Sequence, residues 1–283
     1  GLVQANGALD VGSGGVTLAS LAQSGGTLSS AGDMAVSDFS QTGGTVATQG
    51  NLAVNGQFSQ GSSGSVTVAG NTTITDTAGG ATLGNLQTGG ELAVTSTGGD
   101  VTQQAGSVIT VGGDTTIAAP GSNITLDGAN NDFQGAFNAS GNSITVVDGI
   151  GGLVIGDITA AGGFNATSTG GDVTQQAGSV ITVGGQTTVS APGSNVTLDG
   201  ANNDFQGAFN ASGDNITVVD GSGGLAIGNI AAAGGFNAVS TGGAITQTAG
   251  TTIVVGGQTT VAAPGSNITL DGANNDFQGA FNA

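Results

Sequence analysis

The chain has 283 residues and a formal net charge of −18, with 58 Gly and no Lys, Arg, His, Cys, Trp or Tyr. Without a cationic side chain the protein cannot neutralise phosphates, which excludes binding to nucleic acid and to anionic lipid head groups. Without His or Cys, Ser-His and Cys-His nucleophiles, the usual zinc sites and disulfides are excluded too. No apolar run reaches the roughly 18 residues that a membrane-spanning helix needs.

The segment 1–96 carries a short repeat in which Gly begins an alternating apolar run. GDMAV begins at Gly32, GNLAV at Gly50, GNTTI at Gly70 and GELAV at Gly90. The sequence numbers of these glycines therefore rise in steps of 18, 20 and 20. No initiator Met and no basic-then-apolar leader precede this segment, so we expect a mature protein or an excerpt of a longer one.

A longer repeat follows. GSNITLDGANNDFQGAFNAS at 121–140 returns almost unchanged at 193–212 and begins again at Gly265, which gives a 72-residue period. Pro120, Pro192 and Pro264 mark the same point in each copy. Each copy contains smaller steps, because the sequence numbers of Gly163, Gly185, Gly207 and Gly235 rise by 22, 22 and 28. Such internal periods are typical of solenoid architectures.

Short runs of alternating Val, Ile, Leu, Thr and Phe lie between Gly-, Asn- and Asp-rich corners, and this alternation indicates strands with one buried face. Gly interrupts every candidate helix, and an interior Gly costs a helix about 1 kcal/mol relative to Ala. The pattern predicts an all-β, right-handed parallel β-helix with about a dozen 18–28-residue coils and a 72-residue superrepeat of three coils. The alternative is an array of 72-residue β-sandwich domains, but the shorter period disfavours it.

No linker interrupts the repeat pattern, so we expect one continuous β-solenoid over 1–283. It divides into irregular short coils over 1–96 and 72-residue repeats over 97–168, 169–240 and 241–283, the last truncated.

GNLAV at Gly50, GNTTI at Gly70, GELAV at Gly90 and NDFQGAFNASG at 131–141 resemble the repeats of filamentous-haemagglutinin-type exoproteins and of autotransporter passenger regions. The resemblance is one of repeat style and covers essentially the whole chain. It implies a secreted bacterial rod, usually adhesive, that is exported through an outer-membrane barrel. The chain lacks the secretion-recognition region and the C-terminal barrel of such proteins.

Aromatic residues recur in the long repeats, for example Phe133 and Phe137, with Phe164 and Phe236 at a second position. They could form a platform for a sugar, but their fixed place beside the turns favours interior packing. Trp and Tyr, which add a polar group for carbohydrate recognition, are absent.

The segment DGANND places Asp127 and Asp132, and their equivalents in later repeats, in an oxygen-rich turn that could attract calcium. The spacing is not that of an EF-hand, because Ala129 stands where an oxygen ligand belongs. A glycosidase built on paired Asp residues would need one carboxyl pKa raised by burial alone. We therefore predict no catalytic, cofactor-binding or metal-binding residues, no cofactor and no enzymatic activity.

Pairs of Thr at Thr115–Thr116, Thr187–Thr188 and Thr259–Thr260 are similar to the Thr arrays of ice-binding solenoids. They are interrupted at the next turn by Ala136 and Asn138, and ordinary β-propensity accounts for Thr in strands.

The negative charge along the sides of the β-helix and the strand edges at its two ends indicate which partners to expect. Mutual repulsion of the acidic sides favours solubility, whereas β-helix ends without caps present unpaired strand edges. We expect an extracellular or cell-surface structural protein that associates with itself head to tail or belongs to a longer chain. The alternatives are an adhesin shaft that binds glycans and, more weakly, an ice-binding or polysaccharide-acting β-helix.

Since the fold has no ion pair to lose, we expect little loss of stability between pH 7 and 4, but lateral clumping as Asp residues protonate.

Overall fold

Short strands separated by Gly-rich corners run through the whole chain, and the computed structural model describes every residue, Gly1–Ala283. The one helical element is a single 3-10 turn at Gly12–Gly14, and no helix is long and apolar enough to cross a membrane. The 37 strands, β1 to β37 in chain order, are Leu2–Gln4, Ala8–Asp10, Val16–Gln23, Thr27–Ser30, Met34–Gln41, Gly44–Thr48, Leu52–Val54, Phe58–Gln60, Gly64–Val68, Thr72–Asp76, Ala81–Leu83, Asn85–Thr88, Leu92–Ser96, Val101–Gln103, Ile109–Val111, Thr115–Ala118, Ile124–Leu126, Asp132–Phe133, Ala136–Gly141, Ile144–Asp148, Leu153–Ala160, Phe164–Ser168, Val173–Gln175, Ile181–Val183, Thr187–Ser190, Val196–Leu198, Asp204–Phe205, Phe209–Gly213, Ile216–Asp220, Leu225–Ala232, Phe236–Ser240, Ile245–Gln247, Ile253–Val255, Thr259–Ala262, Ile268–Thr269, Asp276–Phe277 and Phe281–Asn282.

The strands form a parallel β-solenoid of about 14 coils, which confirms the predicted all-β parallel β-helix. The chain forms two compact units, unit 1 (1–142 and 147–149) and unit 2 (143–146 and 150–283).

In unit 1 the inward residues of successive coils stack on one another. A seven-stranded parallel sheet runs in the order β18-β15-β12-β9-β6-β4-β2, and its inner face carries Leu28, Val46, Val66, Leu86 and Ile109 in register. All five are buried. Coils about 4.8 Å apart bring these side chains into contact, and each buried aliphatic side chain contributes about 1.5–3 kcal/mol.

The phenylalanines follow the same rule. Phe133, Phe137, Phe164, Phe205 and Phe209 are fully buried, so the predicted interior packing is confirmed for them and a surface sugar platform is excluded at these positions. The rings of Phe133 and Phe137 meet edge to face with centroids 5.4 Å apart, a favourable geometry for aromatic pairs.

The proline of each long repeat starts a tight turn. The N–H of Ser194 donates to the carbonyl oxygen of Ala191 at 3.0 Å across Pro192 and Gly193, and Gly193 has a φ of 72°. Proline followed by a residue with positive φ is the pattern of a type II turn, and only glycine adopts that φ without strain. The recurrent Pro-Gly pair is therefore a corner of the coil.

The register within unit 2 shows how the 72-residue repeat relates to the coils. Here a column means residues paired in register through successive coils. One column contains Phe164, Thr187 and Phe209. A second column contains Val173, Val196, Ile216 and then Phe236. Phe236 is the 72-residue equivalent of Phe164, and it lies in the other column.

Each 72-residue repeat thus contains three coils and one additional strand position. Starting from Val173, three pairing steps through successive coils reach Phe236. The sequence equivalent of Val173 is Ile245, which lies one strand further along the chain. Ile245 pairs instead with Leu225 and Ile268 in a third column. Equivalent residues of the two repeats in unit 2 therefore face different sides of the coil stack. The predicted three-coil superrepeat is confirmed. Within unit 2, the additional strand position turns one repeat about the solenoid axis relative to the one before it.

Candidate functional site

The acidic turn DGANND does not gather its carboxylates. Asp132 accepts a hydrogen bond from Nε2 of Gln134 at 2.8 Å, while Asp127 is exposed. Nowhere in the chain do three or more acidic side chains come together as possible metal ligands. The turn instead contributes Asn131, which is completely buried.

Asn131 forms a reciprocal amide pair with Gln103 of an earlier coil. Nδ2 of Asn131 donates to Oε1 of Gln103 at 2.9 Å, and Nε2 of Gln103 donates to Oδ1 of Asn131 at 2.7 Å. The same two oxygens accept the backbone N–H groups of Gly128 and Ile109. Each amide therefore satisfies its partner and a backbone group of a neighbouring coil, as buried polar groups require.

The later repeats reproduce this pair. Gln175 and Asn203 exchange hydrogen bonds of 2.8 and 2.8 Å, and Gln247 and Asn275 exchange hydrogen bonds of 2.8 and 2.7 Å. Unit 1 begins with a related arrangement, a ladder of buried glutamines in which Nε2 of Gln41 donates to Oε1 of Gln23 at 2.9 Å. The polar interior is thus a structural feature of both units of the solenoid.

A second set of buried polar residues consists of three aspartates at one position of the 72-residue frame. Asp76, Asp148 and Asp220 are each at most 1% exposed. Each accepts the backbone N–H of a phenylalanine in an earlier coil, at 2.9, 3.0 and 3.0 Å respectively. In the protein without cationic side chains, backbone N–H groups take the place of ion-pair partners.

Asp220 shows the electrostatic consequence. Burial raises the pKa of Asp220, the backbone N–H groups of Phe205 and Gly224 lower it in part, and the charge of Asp204 raises it. The carboxylate oxygens accept from Phe205 at 3.0 Å and from Gly224 at 3.2 Å. Both oxygens are therefore used to hold the chain, and neither is directed at an open site.

Exposed Asp and Asn side chains join the corners of successive coils. Oδ1 of Asp33 accepts the N–H of Asn51 at 2.8 Å, and Oδ1 of Asn51 accepts the N–H of Asn71 at 2.8 Å. The same arrangement joins Asp172 to Asn195 at 2.8 Å. Much of the acidic character of the surface is thus tied to backbone hydrogen bonding.

The threonine pairs divide between inside and outside. Thr115, Thr187 and Thr259 are buried, and their Oγ1 atoms have no hydrogen-bond partner. Only the second residue of each pair reaches the surface. Within unit 2, Thr188 pairs with Asn165 and Asn210, whereas Thr260 pairs with Asn237 in the other column. These pairs therefore do not form a continuous row.

A different polar row does exist on unit 2, and it is called here the threonine–asparagine row. Its members are outward, half-buried residues that are paired in register through successive coils: Thr174, Thr197, Thr217, Asn237 and Thr260. Three of its members, Thr217, Asn237 and Thr260, line an open hollow of about 470 Å³. Asn215 and Gln258 complete the polar lining, above the glycines 234, 235 and 257. We call it the Asn237 hollow.

The buried amide pairs, the buried aspartates and this row were not predicted from the sequence. A signal for the aspartates was present, since Asp76, Asp148 and Asp220 each end an alternating strand and follow the 72-residue period. The row had a weaker signal, the central Thr of segments such as VTL and ITV. Which outward residues align depends on coil length, which no local pattern reveals.

A family model described as repeats of unknown function (DUF5649) matches residues 73–140, 141–212 and 213–283. The first match begins inside the segment of short coils, where Asp76 already stands one 72-residue period before Asp148. No curated protein matches the chain, and no solved structure matches it.

Proposed function

Because the chain belongs to the family of repeats of unknown function DUF5649, we propose a function from its architecture: a non-enzymatic structural protein that serves as a shaft of an exported bacterial surface protein. The observation that carries this proposal is the use of the buried polar side chains. Gln175 and Asn203 hydrogen-bond to each other, and Asn203 and Asp220 each accept a backbone N–H group. These buried polar side chains are thus engaged in holding coil to coil.

The proposed extracellular location rests on the likeness in repeat style to filamentous-haemagglutinin-type exoproteins. Extended β-solenoids without cysteine need no redox chemistry to fold, and stacking of coils is approximately additive along the chain. A shaft is a direct use of that property, since each added repeat adds length with its own stabilisation.

We further propose that the solenoid stacks on another β-solenoid coil at its outermost coils. Leu9 is paired in register with the buried Leu28, yet its side chain is 42% exposed. Phe281 is likewise paired with the buried Thr259, yet it is 45% exposed. Oε1 of Gln4, in the glutamine ladder, is buried without a partner. A further coil would cover both apolar side chains and offer a donor to Gln4. That coil is the neighbouring part of a longer chain or the opposite end of a second copy.

Two alternatives remain. A shaft that also binds glycans is favoured by the Asn237 hollow, which is lined by neutral polar groups. An ice-binding or polysaccharide-acting β-helix is the weaker candidate, because the threonine pairs are half buried and fall in different columns.

Negative-stain electron microscopy of the full chain tests the proposal. We expect slender rods one solenoid wide, joined end to end into fibres at high protein concentration. Leu9→Asp and Phe281→Asp place a charge on the stacking surfaces and are expected to give single rods. Val254→Asp, on an exposed lateral position, serves as the control and keeps the fibres. Single rods of the unsubstituted chain at all concentrations would overturn self-stacking, and compact round particles would overturn the shaft itself.

A further inference from the structure

The Asn237 hollow has a lining that is polar, neutral and free to bind. Thr217, Asn237, Gln258 and Thr260 are half-buried or exposed, and their side chains have no hydrogen-bond partner within the chain. Asn215, at the edge, is already committed, because its Oδ1 accepts the N–H of Gly235 at 2.8 Å. Two carboxamides and two hydroxyls therefore remain available in one depression.

Glycines form the corners beneath the hollow, where neighbouring coils pack closely. A Cβ on Gly235 would lie 3.2 Å from the carbonyl oxygen of Gln258 and 3.4 Å from Oδ1 of Asn215. A Cβ on Gly257 would lie 2.8 Å from the carbonyl oxygen of Gly234. A side chain at either corner would press against the neighbouring coil, so glycine is needed there for the coil spacing that shapes the hollow. Its volume, about 470 Å³, falls within the range of small-molecule sites.

The chemistry of the lining selects the class of ligand. A carboxamide and a hydroxyl both donate and accept hydrogen bonds, which suits a ligand whose own groups also do both. No ionisable residue lines the hollow, so a cation finds no carboxylate there, and the net charge of −18 disfavours an anion. The exposed lining has no aromatic ring to stack on a planar ligand. A neutral polyhydroxylated molecule fits these conditions.

The threonine–asparagine row extends this chemistry along the coils. Thr197 and Thr174 continue from Thr217 on the side away from Asn237. Their hydroxyls recur once per coil, at about 4.8 Å. One sugar residue of an extended polysaccharide is about as long as one such step, so successive sugars can meet successive coils.

From these observations we propose that the Asn237 hollow and the adjoining threonine–asparagine row bind a neutral polysaccharide chain. Asn237 and Gln258 provide the main contacts through their carboxamides, and Thr217 and Thr260 flank them. The inference deepens the proposed function, on which it rests, by giving the shaft a lateral ligand, and it does not depend on the stacking of coils at the outermost positions.

Nuclear magnetic resonance of the isotope-labelled full chain tests it with cellohexaose, mannohexaose and maltohexaose as probes and hexagalacturonate as the anionic comparison. We expect at least one neutral hexasaccharide to shift the amide signals of Gly234, Gly235 and Gly257, and the anionic one to leave them unchanged. Binding read from these glycines excludes ligands that attach elsewhere on the chain.

The variant Asn237→Ala/Gln258→Ala should weaken this binding at least tenfold. The control Asn202→Ala/Gln176→Ala removes the same two amide types from exposed positions outside the hollow and should bind like the unsubstituted chain. Absence of glycine shifts with every neutral probe, or equal binding by the Asn237/Gln258 variant, would overturn the inference. Rods in the electron microscope would persist in either case, so failure here is distinguishable from failure of the shaft.

Discussion

Gln175 and Asn203 come from different coils and exchange two side-chain hydrogen bonds of 2.8 Å inside the solenoid. Asn203 also accepts the backbone N–H of Ile181 at 3.0 Å, and Gln175 accepts that of Gly200 at 2.9 Å. Since a buried hydrogen-bonding group without a partner costs about 1–3 kcal/mol, this pair links coils that apolar stacking alone would leave free to slip.

Replacement of Asn203 by Ala tests this link. The change leaves the N–H of Ile181 without a partner and removes one hydrogen bond from each end of the Gln175 amide, which keeps its bonds to Ser179 and Gly200. We therefore expect the free energy of unfolding to fall by about 1–3 kcal/mol. Urea unfolding followed by circular dichroism measures it. Asn202→Ala, at the exposed neighbouring position, should change stability by less than about 0.5 kcal/mol. A double-mutant cycle with Gln175→Ala should show strong non-additivity, and simple additivity of the two losses would contradict the reciprocal pair.

The pKa of Asp220 makes stability depend on pH. Because burial raises this pKa in the folded protein, the folded state binds a proton more tightly than the unfolded state, whose Asp pKa is about 3.9. The free energy of unfolding contributed by this group therefore increases as pH falls through the folded pKa and stops increasing below the unfolded pKa. This refines the expectation from the sequence, which considered only the absence of ion pairs.

Urea unfolding at pH 7 and at about pH 3.5, which lies below the unfolded Asp pKa of about 3.9, measures this linkage. On acidification, the free energy of unfolding of the unsubstituted chain should rise more, or fall less, than that of Asp220→Asn, which cannot titrate at this position. Asp199→Asn, at an exposed position, provides the control. The same pH dependence in all three proteins would show that Asp220 does not contribute.

The buried hydroxyl of Thr187 lowers stability. It lies between Phe164 and Phe209 in its column, and its Oγ1 has no hydrogen-bond partner. Thr187→Val keeps the shape and removes the unpaired polar group, so we expect a gain of about 1 kcal/mol in the free energy of unfolding. Thr188→Val, on the outside, should leave the value nearly unchanged. A loss of stability in Thr187→Val would mean that the hydroxyl has a favourable partner.

Gly207 is required by the close stacking of corners. A Cβ at this position would collide with the backbone carbonyl group of Gly185 in the neighbouring coil, so Gly207→Ala should destabilise the fold by about 1–3 kcal/mol or more. Gly178→Ala is the comparison, because nothing lies near its Cβ and the cost arises only from its φ of 84°, about 1–2 kcal/mol. Thermal unfolding by circular dichroism should rank Gly207→Ala as the less stable variant, and the reverse order would contradict the steric argument.

Sequence alone determined the kind of fold and the period of the repeat. Alternation of Val, Ile and Leu with Thr permits only strands with one buried face, and Gly at the corners excludes helices. The 72-residue spacing of Pro120, Pro192 and Pro264 established the repeat, and the alternating pattern also predicted that phenylalanines such as Phe164 pack inside.

Only the tertiary structure decided which residues stack on one another. Phe164 and Phe236 are equivalent in sequence but lie in different columns, because the number of residues in each coil is set by all of its corners together. For the same reason the partners of Asn203 and Asp220 could not be read from neighbouring residues. Local pattern specifies which face of a strand is buried, whereas the closure of whole coils specifies what it is buried against.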